Sequence, residues 1–159
     1  MKTVYFPKPL LAAVALLFAG AAQADGLKLG ALMPMTGGLG AYGESSLNGV
    51  KLVIDEINRA GGVNGAKVTL SVGDTQTAPQ AGVDAAKKLV EIEKVSGLIG
   101  ALSSGVTIPV AATVSSTAGV PQISSASTSP EITGLKDRDF LFRTVPTDAI
   151  QGVALAQLV

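Results

Sequence analysis

Cysteine and histidine are both missing from the 159 residues, and aromatic residues make up only 4% of them. Without cysteine there is no disulfide scaffold, zinc finger, iron–sulfur cluster or thiolate nucleophile. Without histidine the Ser-His-Asp arrangement, the usual general base and the commonest metal ligand are excluded. Charge of neither sign dominates: Lys plus Arg and Asp plus Glu stand at 12 each, so no basic surface suits a phosphate backbone. What the chain has in quantity is apolar. Hydrophobic residues reach 47%, far too many for disorder, and the length suits one domain of roughly 100–200 residues.

The first 24 residues read as a secretory signal. Met1 to Pro9 carries Lys2 and Lys8 with no acid, Leu10 to Ala22 is an unbroken run of apolar and small residues, and Ala22-Gln23-Ala24 follows. A charged start, a short apolar stretch and A-x-A form the pattern that signal peptidase cleaves. The apolar run falls short of the about 20 residues that span a bilayer. Cleavage after Ala24 would start the mature chain at Asp25 and tip the balanced charge to the acidic side. Freedom from cysteine also suits an oxidising, exported environment.

Beyond the signal, strand and helix patterns alternate. Leu27 to Met33 reads as an apolar strand halted by Pro34, and Leu47, Val50, Val53, Ile54 and Ile57 define one face of a helix over 46–60. Ser45 and Ser46 are placed to cap that helix, and Gly61-Gly62 to end it. Val68, Leu70 and Val72 alternate as a second strand, and Pro79 opens a second helix with Val83, Ala86, Leu89 and Val90 on one face. Val95 to Ala101 reads as a third, doubly buried strand, Thr107 to Ala118 as a third helix despite Pro109. Val120 to Ile123 and Asp139 to Thr144 read as the fourth and fifth strands, and Gln151 begins another helix. Such alternation predicts an α/β lobe of three layers, with a central parallel sheet and helices on both faces.

Ligands of parallel α/β sheets bind at the carboxyl ends of the strands, so the loops there matter most. Those loops are residues 35–43, 73–77, 102–107 and 124–129, and they bring Gly, Ser and Thr to one edge with little charge. A small ligand carrying its own charges suits that edge. Ser104 sits where a helix begins, either as a simple N-cap or as a hydroxyl facing a carboxylate or phosphate. Five hydroxyls among Ser124 to Ser129 exceed any capping need. Thr128 can donate and accept, and a carbonyl such as that of Ala126 can receive an ammonium. Two such loops on neighbouring strands would hold both ends of a zwitterion.

The competing signal is Gly38-Leu39-Gly40-Ala41-Tyr42-Gly43, which matches the G-x-G-x-x-G fingerprint of a Rossmann-like dinucleotide-binding enzyme domain. Its context is wrong. The match starts well beyond the strand, after Pro34; Asp55 and Glu56, at the distance where the fingerprint needs an acid, lie inside a helix; Asp74, at a strand end, comes too late. Tyr42 in this glycine loop reads as a partly exposed ring that touches the ligand.

The ordered blocks MPMTGGLGAYGE, LNGVKLVIDEINRAGGVNG, GLIGALSSGVTIPVA, PQISSASTSPEIT and FLFRTVPTD resemble the leucine/isoleucine/valine-binding proteins, type I periplasmic solute-binding proteins that serve ABC importers. The resemblance runs from about Leu27 to Asp148. It implies two lobes joined by crossover strands that close by a hinge motion on an amino acid, with no chemistry and no cofactor or metal. It implies Ser104 as the hydroxyl that holds the ligand carboxylate, Thr128 as a contact to carboxylate and ammonium, and the Ala126 carbonyl as an ammonium acceptor. Tyr42 matches an aromatic contact to the ligand side chain, and Ser127 a position often occupied by Ala, where it only fills space. Some relatives join the loops after strands two and three by a disulfide; Gln76 or its neighbours and Ser103 stand there instead.

Relatives of this kind are more than twice as long, and their second lobe supplies the acid that meets the ligand ammonium. The expected organisation is therefore a signal peptide (1–24), an N-terminal ligand-binding lobe (25–145), and a crossover with the start of a truncated second lobe (146–159). The expected partners are an amino acid and, by resemblance, the membrane permease of an importer, in the periplasm and without nucleic acid. The alternatives are a nucleotide-dependent or serine-nucleophile enzyme on the same fold, and a lobe that holds no ligand at all.

Overall fold

The computed structural model describes residues 26–158, so the signal expected at 1–24 lies outside the described residues. In chain order the elements are β1 (Lys28–Met33), α1 (Gly40–Arg59), β2 (Thr69–Asp74), α2 (Pro79–Lys87, running on as a wider turn over Lys88–Ile92) and β3 (Gly97–Gly100). Then come α3 (Ser104–Val110, widened over Ala111–Ser115 and ending at Ser116–Ala118), β4 (Gln122–Ser124), a 3-10 turn (Pro130–Gly134), β5 (Leu141–Arg143) and α4 (Asp148–Ala156). All strand pairs are parallel, in the order β2-β1-β3-β4-β5. The connection from β1 runs outward to β2, and the chain then returns to place β3 on the other side of β1. Loops leaving β1 and β3 therefore diverge and open a crevice at the carboxyl edge, where ligands of such sheets bind.

Alternation along the strands sorts side chains to the two faces. Leu32 and Leu98 are buried with Ala86, Leu89 and Val90 below and Val106, Val110 and Val114 of α3 beside them. Ala31 and Met33 face the other way and pack against Leu47 of α1, with Val50, Leu70, Ile99 and Leu102 around them. The two clusters give the expected three layers, but the α1 side is only partly roofed. Ala31, Ile99, Ile123 and Phe142 lie side by side across four strands, and towards β5 the cover ends: Ile123 is 40% and Phe142 51% exposed. Pro109 interrupts the hydrogen bonding of α3 because it has no N–H; Thr113 Oγ1 donates to its carbonyl at 2.7 Å, just where the helix widens.

Several boundaries differ from the sequence reading, among them the start of α3 at Ser104 rather than Thr107. α1 starts at Gly40, not Ser46, so Ser45 and Ser46 lie inside the helix and cap nothing. Tertiary contact sets this start. The Leu39 amide donates to Thr77 Oγ1 at 2.9 Å, and Gly43 lies so close to the end of β1 that a Cβ would come within 2.1 Å of the Pro34 carbonyl. Only glycine permits that approach. At the other end of the chain, Thr147 caps α4 by accepting from the Ala149 amide at 3.4 Å, three residues earlier than the expected helix. Among the described residues no helix is long and apolar enough to cross a membrane.

Candidate functional site

The carboxyl edge of the sheet is built on a buried layer of hydroxyls. Ser124, the last residue of β4, donates to the Ala101 carbonyl at 2.6 Å and lies 2.7 Å from Ser127 Oγ. Ser127 Oγ in turn lies 2.8 Å from Thr107 Oγ1, which donates to the Ala101 carbonyl at 3.1 Å. Beside them Ser115 Oγ donates to Gln122 Oε1 at 2.7 Å, and Gln122 Nε2 donates to the Gly100 carbonyl at 3.1 Å. Ser124, Ser127, Thr107, Ser115 and Gln122 are all fully buried, so this layer faces no ligand. Ser127 is thus no space filler. Its hydroxyl ties the loop after β4 to the first turns of α3.

Above that layer lies a second set of polar groups within reach of solvent. Ser103, not Ser104, is the N-cap of α3, and Ser104 is the first helical residue. The Ser104 hydroxyl, half-buried, accepts from the Ser129 amide at 3.2 Å and so meets the loop that carries Ala126 and Thr128. Thr128 Oγ1 donates to Asp148 Oδ2 at 3.0 Å, and the Asp148 amide donates back to the Thr128 carbonyl at 2.9 Å. Arg143 grips the same loop from β5, donating to the Ser129 carbonyl at 2.9 Å and to Thr133 Oγ1 at 2.6 Å. A concavity of about 450 Å³ opens beside it, lined by Leu39, Tyr42, Ser46, Leu102, Ser125 and Ala126. The fold brings all four candidate residues, Tyr42, Ser104, Ala126 and Thr128, to this one edge. Tyr42 departs from expectation in its setting: it stands in the first turn of α1 rather than in a glycine loop, 62% exposed.

Asp148 and Arg143 escaped the sequence reading. Both contact the loop across 14 to 20 residues of chain, which no local pattern encodes. The Pro-Thr-Asp run that opens α4 was the available signal for Asp148, since it marks a helix start with an acid in the first turn.

Asp74, the last residue of β2, holds the loop after β1. Its carboxylate accepts from Thr36 Oγ1 at 2.6 Å and from the amides of Met35, Thr36 and Gln76 at 2.8–3.2 Å. Partial desolvation pushes its pKa up, but the bonds from the Thr36 hydroxyl and the Gln76, Thr36 and Met35 amides outweigh that push and hold it below the ordinary carboxylate value. This arrangement also argues against a dinucleotide. The acid at the end of the second strand is already engaged by four donors of the protein, leaving little capacity for ribose hydroxyls. The last glycine of the fingerprint, Gly43, is explained by its approach to Pro34 alone. Among the described residues no group of three or more acidic, His or Cys side chains could hold a metal ion.

Comparison with known proteins gives consistent matches. A family model described as periplasmic binding protein matches residues 26–159. The Leu/Ile/Val-binding protein homolog 8 of Brucella abortus is 40% identical over 127 residues, covering 80% of this chain and 30% of that relative. The branched-chain amino acid transporter substrate-binding protein of Streptococcus pneumoniae, solved with isoleucine, superimposes with a TM-score of 0.72 at 32% identity, covering 78% of this chain and 35% of its own. A solute-binding protein from Rhodopseudomonas palustris, solved with 3,4-dihydroxybenzoic acid, has a TM-score of 0.68 at 28% identity, covering 77% and 32%. The chain thus spans about a third of the length of the relatives it matches.

Proposed function

The chain belongs to the periplasmic binding protein family, and from that membership we propose that residues 25–145 are the N-terminal lobe of an exported receptor for a branched-chain or related amino acid. The receptor delivers its ligand to the membrane permease of an ABC importer, and residues 146–159 lead from this lobe into a second one that closes over the ligand. The leader at 1–24 directs it to the periplasm. No cofactor takes part.

The observation that carries this reading is the meeting of the Ser104 hydroxyl with the 126–129 loop, with Asp148 beside Thr128. A zwitterion fits those groups in one orientation. Ser104 Oγ donates to the ligand carboxylate, and Thr128 Oγ1 can turn from Asp148 to do the same. The ammonium then lies against the Ala126 carbonyl, Thr128 and the Asp148 carboxylate, three acceptors in a row. An apolar ligand side chain is left facing Tyr42 and Leu102. Asp148 decides between ligand classes: a carboxylate there favours a solute with an ammonium over an aromatic acid that has none.

The reading is one of binding without chemistry. A serine nucleophile needs an adjacent base; the sequence has no histidine, and the Ser104 hydroxyl meets the Ser129 amide, which is no base. Calorimetric titration with L-leucine, L-isoleucine, L-valine, N-acetyl-leucine and 3,4-dihydroxybenzoate tests the proposal. The aliphatic amino acids should bind, and at 100 times the dissociation constant each should add about 2.7 kcal/mol to stability. Ser104→Ala should weaken them by about 10–150-fold, the value of a hydrogen bond to a charged group. If none of the three binds, the receptor reading fails; if N-acetyl-leucine binds as well as leucine, Asp148 has no ammonium to meet.

A further inference from the structure

The loop after β1 and the loop after β2 are joined along their whole facing length. Met35 and Thr36 are held by Asp74, Gly37 by contact with Gln76, and Leu39 by Thr77. Gly37 has φ +83°, and a Cβ there would come within 2.0 Å of the Gln76 carbonyl. The gripping loop is itself strained. Gln76 (φ 51°) and Thr77 (φ 57°) are consecutive non-glycine residues in the left-handed region, where a β-branched residue is a rare outlier. Strain of this kind persists only where surrounding contacts over-determine the backbone, and it concentrates where a site is held ready for a ligand. What the gripped segment carries is the start of α1. Gly40 and Tyr42 bond back to Gly37 and Leu39 through their backbone amides, at 3.0 and 2.9 Å, so the place of the Tyr42 backbone follows from the loop.

We propose that Asp74 is a positioning residue of the ligand site, which with Thr36 and the strained Gln76-Thr77 turn latches the loop after β1 and so sets Tyr42 against the crevice. The proposal rests on the ligand reading above but concerns a residue that touches no ligand. Thr36 is the separable half of the latch, because its hydroxyl reaches Asp74 while its side chain is exposed and packs in no core.

Tyr5 and Tyr42 are the two tyrosines of the chain and there is no tryptophan, so in a Tyr5→Phe background Tyr42 is the single emitter. In that background Asp74→Asn and Thr36→Val should both lower the anisotropy of Tyr42 fluorescence, and Thr36→Ser should restore it. The dissociation constant for L-leucine should rise about tenfold in Thr36→Val, the effect of losing about 1.4 kcal/mol of preorganisation, and return in Thr36→Ser. A loop with a structural role alone would change the melting temperature and leave affinity and anisotropy alone. Should Asp74→Asn not fold, Thr36→Val decides the matter. Loss of Tyr42 order without any leucine binding by the parent chain would uphold the latch and refute the ligand reading. Leucine binding and Tyr42 anisotropy that survive in a folded Thr36→Val chain would refute the latch and leave the ligand reading standing.

Discussion

Truncating Ser127 to alanine separates a working hydroxyl from a space filler. Ser127 Oγ is fully buried, 2.8 Å from Thr107 Oγ1 and 2.7 Å from Ser124 Oγ. Ser124, Thr107 and Ser127 have three hydroxyl protons between them; after truncation the two that remain both donate to the Ala101 carbonyl, so one hydrogen bond is lost and neither neighbour is left without a partner. The cost is then one net hydrogen bond, about 0.5–1.5 kcal/mol, with little added for the small void. Against a total stability of about 5–15 kcal/mol that is a measurable share. With a urea m-value of about 2 kcal/mol/M, the unfolding midpoint should fall by about 0.25–0.75 M. A double-mutant cycle with Thr107→Val should give a coupling of about 0.5–1.5 kcal/mol, because the two hydroxyls share one bond. A midpoint shift worth less than about 0.5 kcal/mol, in the range of ordinary surface changes, would mean that the hydroxyl network does not stabilise the loop.

Two further outcomes follow from the same edge. Gly43→Ala should cost about 1–3 kcal/mol or more, because the new Cβ meets backbone at Pro34 that cannot move aside; an unchanged melting temperature would show that α1 does not need this close approach. Asp74, with a folded-state pKa below its ordinary 3.8, should contribute its full stability above that ordinary value and lose it as the pH falls through the lower folded value. Acid titration followed by circular dichroism should therefore show a steeper acid limb for the wild-type chain than for Asp74→Asn, and identical limbs would refute the assignment.

The layers of the fold were legible in the sequence because they are set by periodicity. Leu32 and Leu98 against Ala86 and Leu89, and Met33 against Leu47, are the partners that alternation and helical spacing indicate. The start of α1 was not legible. Ser45 and Ser46 carry the capping signal, yet the helix begins six residues earlier because Thr77 takes the Leu39 amide and Gly43 fits under Pro34; tertiary contact overrode a local preference. β5 was expected from Asp139 but forms only over Leu141–Arg143, since the Asp137 carboxylate takes the Leu141 amide and Arg138 and Asp139 turn left-handed. The candidate site was legible as a set of loops. Its charges were not: Asp148 and Arg143 reach it only once α4 and β5 are placed.

The density of hydroxyls after β4 now divides into two populations with different work. Ser124 and Ser127 point down, are fully buried, and find all their partners in the protein. Ala126 and Thr128 lie on the open side, with Ser104 joined to them through Ser129. The first population makes the second useful. Groups that bind a charged solute lose affinity to every rotamer and loop motion frozen on contact, and here those motions are already stopped by the buried layer below and by Arg143 from the side. A nucleotide would make no use of this arrangement, since its phosphates need a ring of free amides at the glycine turn, where Leu39 is tied to Thr77 and Met35 and Thr36 to Asp74. In the receptor proposed above, a small ion with one negative and one positive end would use all of it: the hydroxyl at Ser104, the one at Thr128, and the carboxylate at Asp148 to which Thr128 now donates. On that proposal, recognition is decided by charge and direction at the ligand backbone, and the choice among aliphatic side chains would fall to Tyr42 and the Leu39 and Leu102 side chains that line the same concavity.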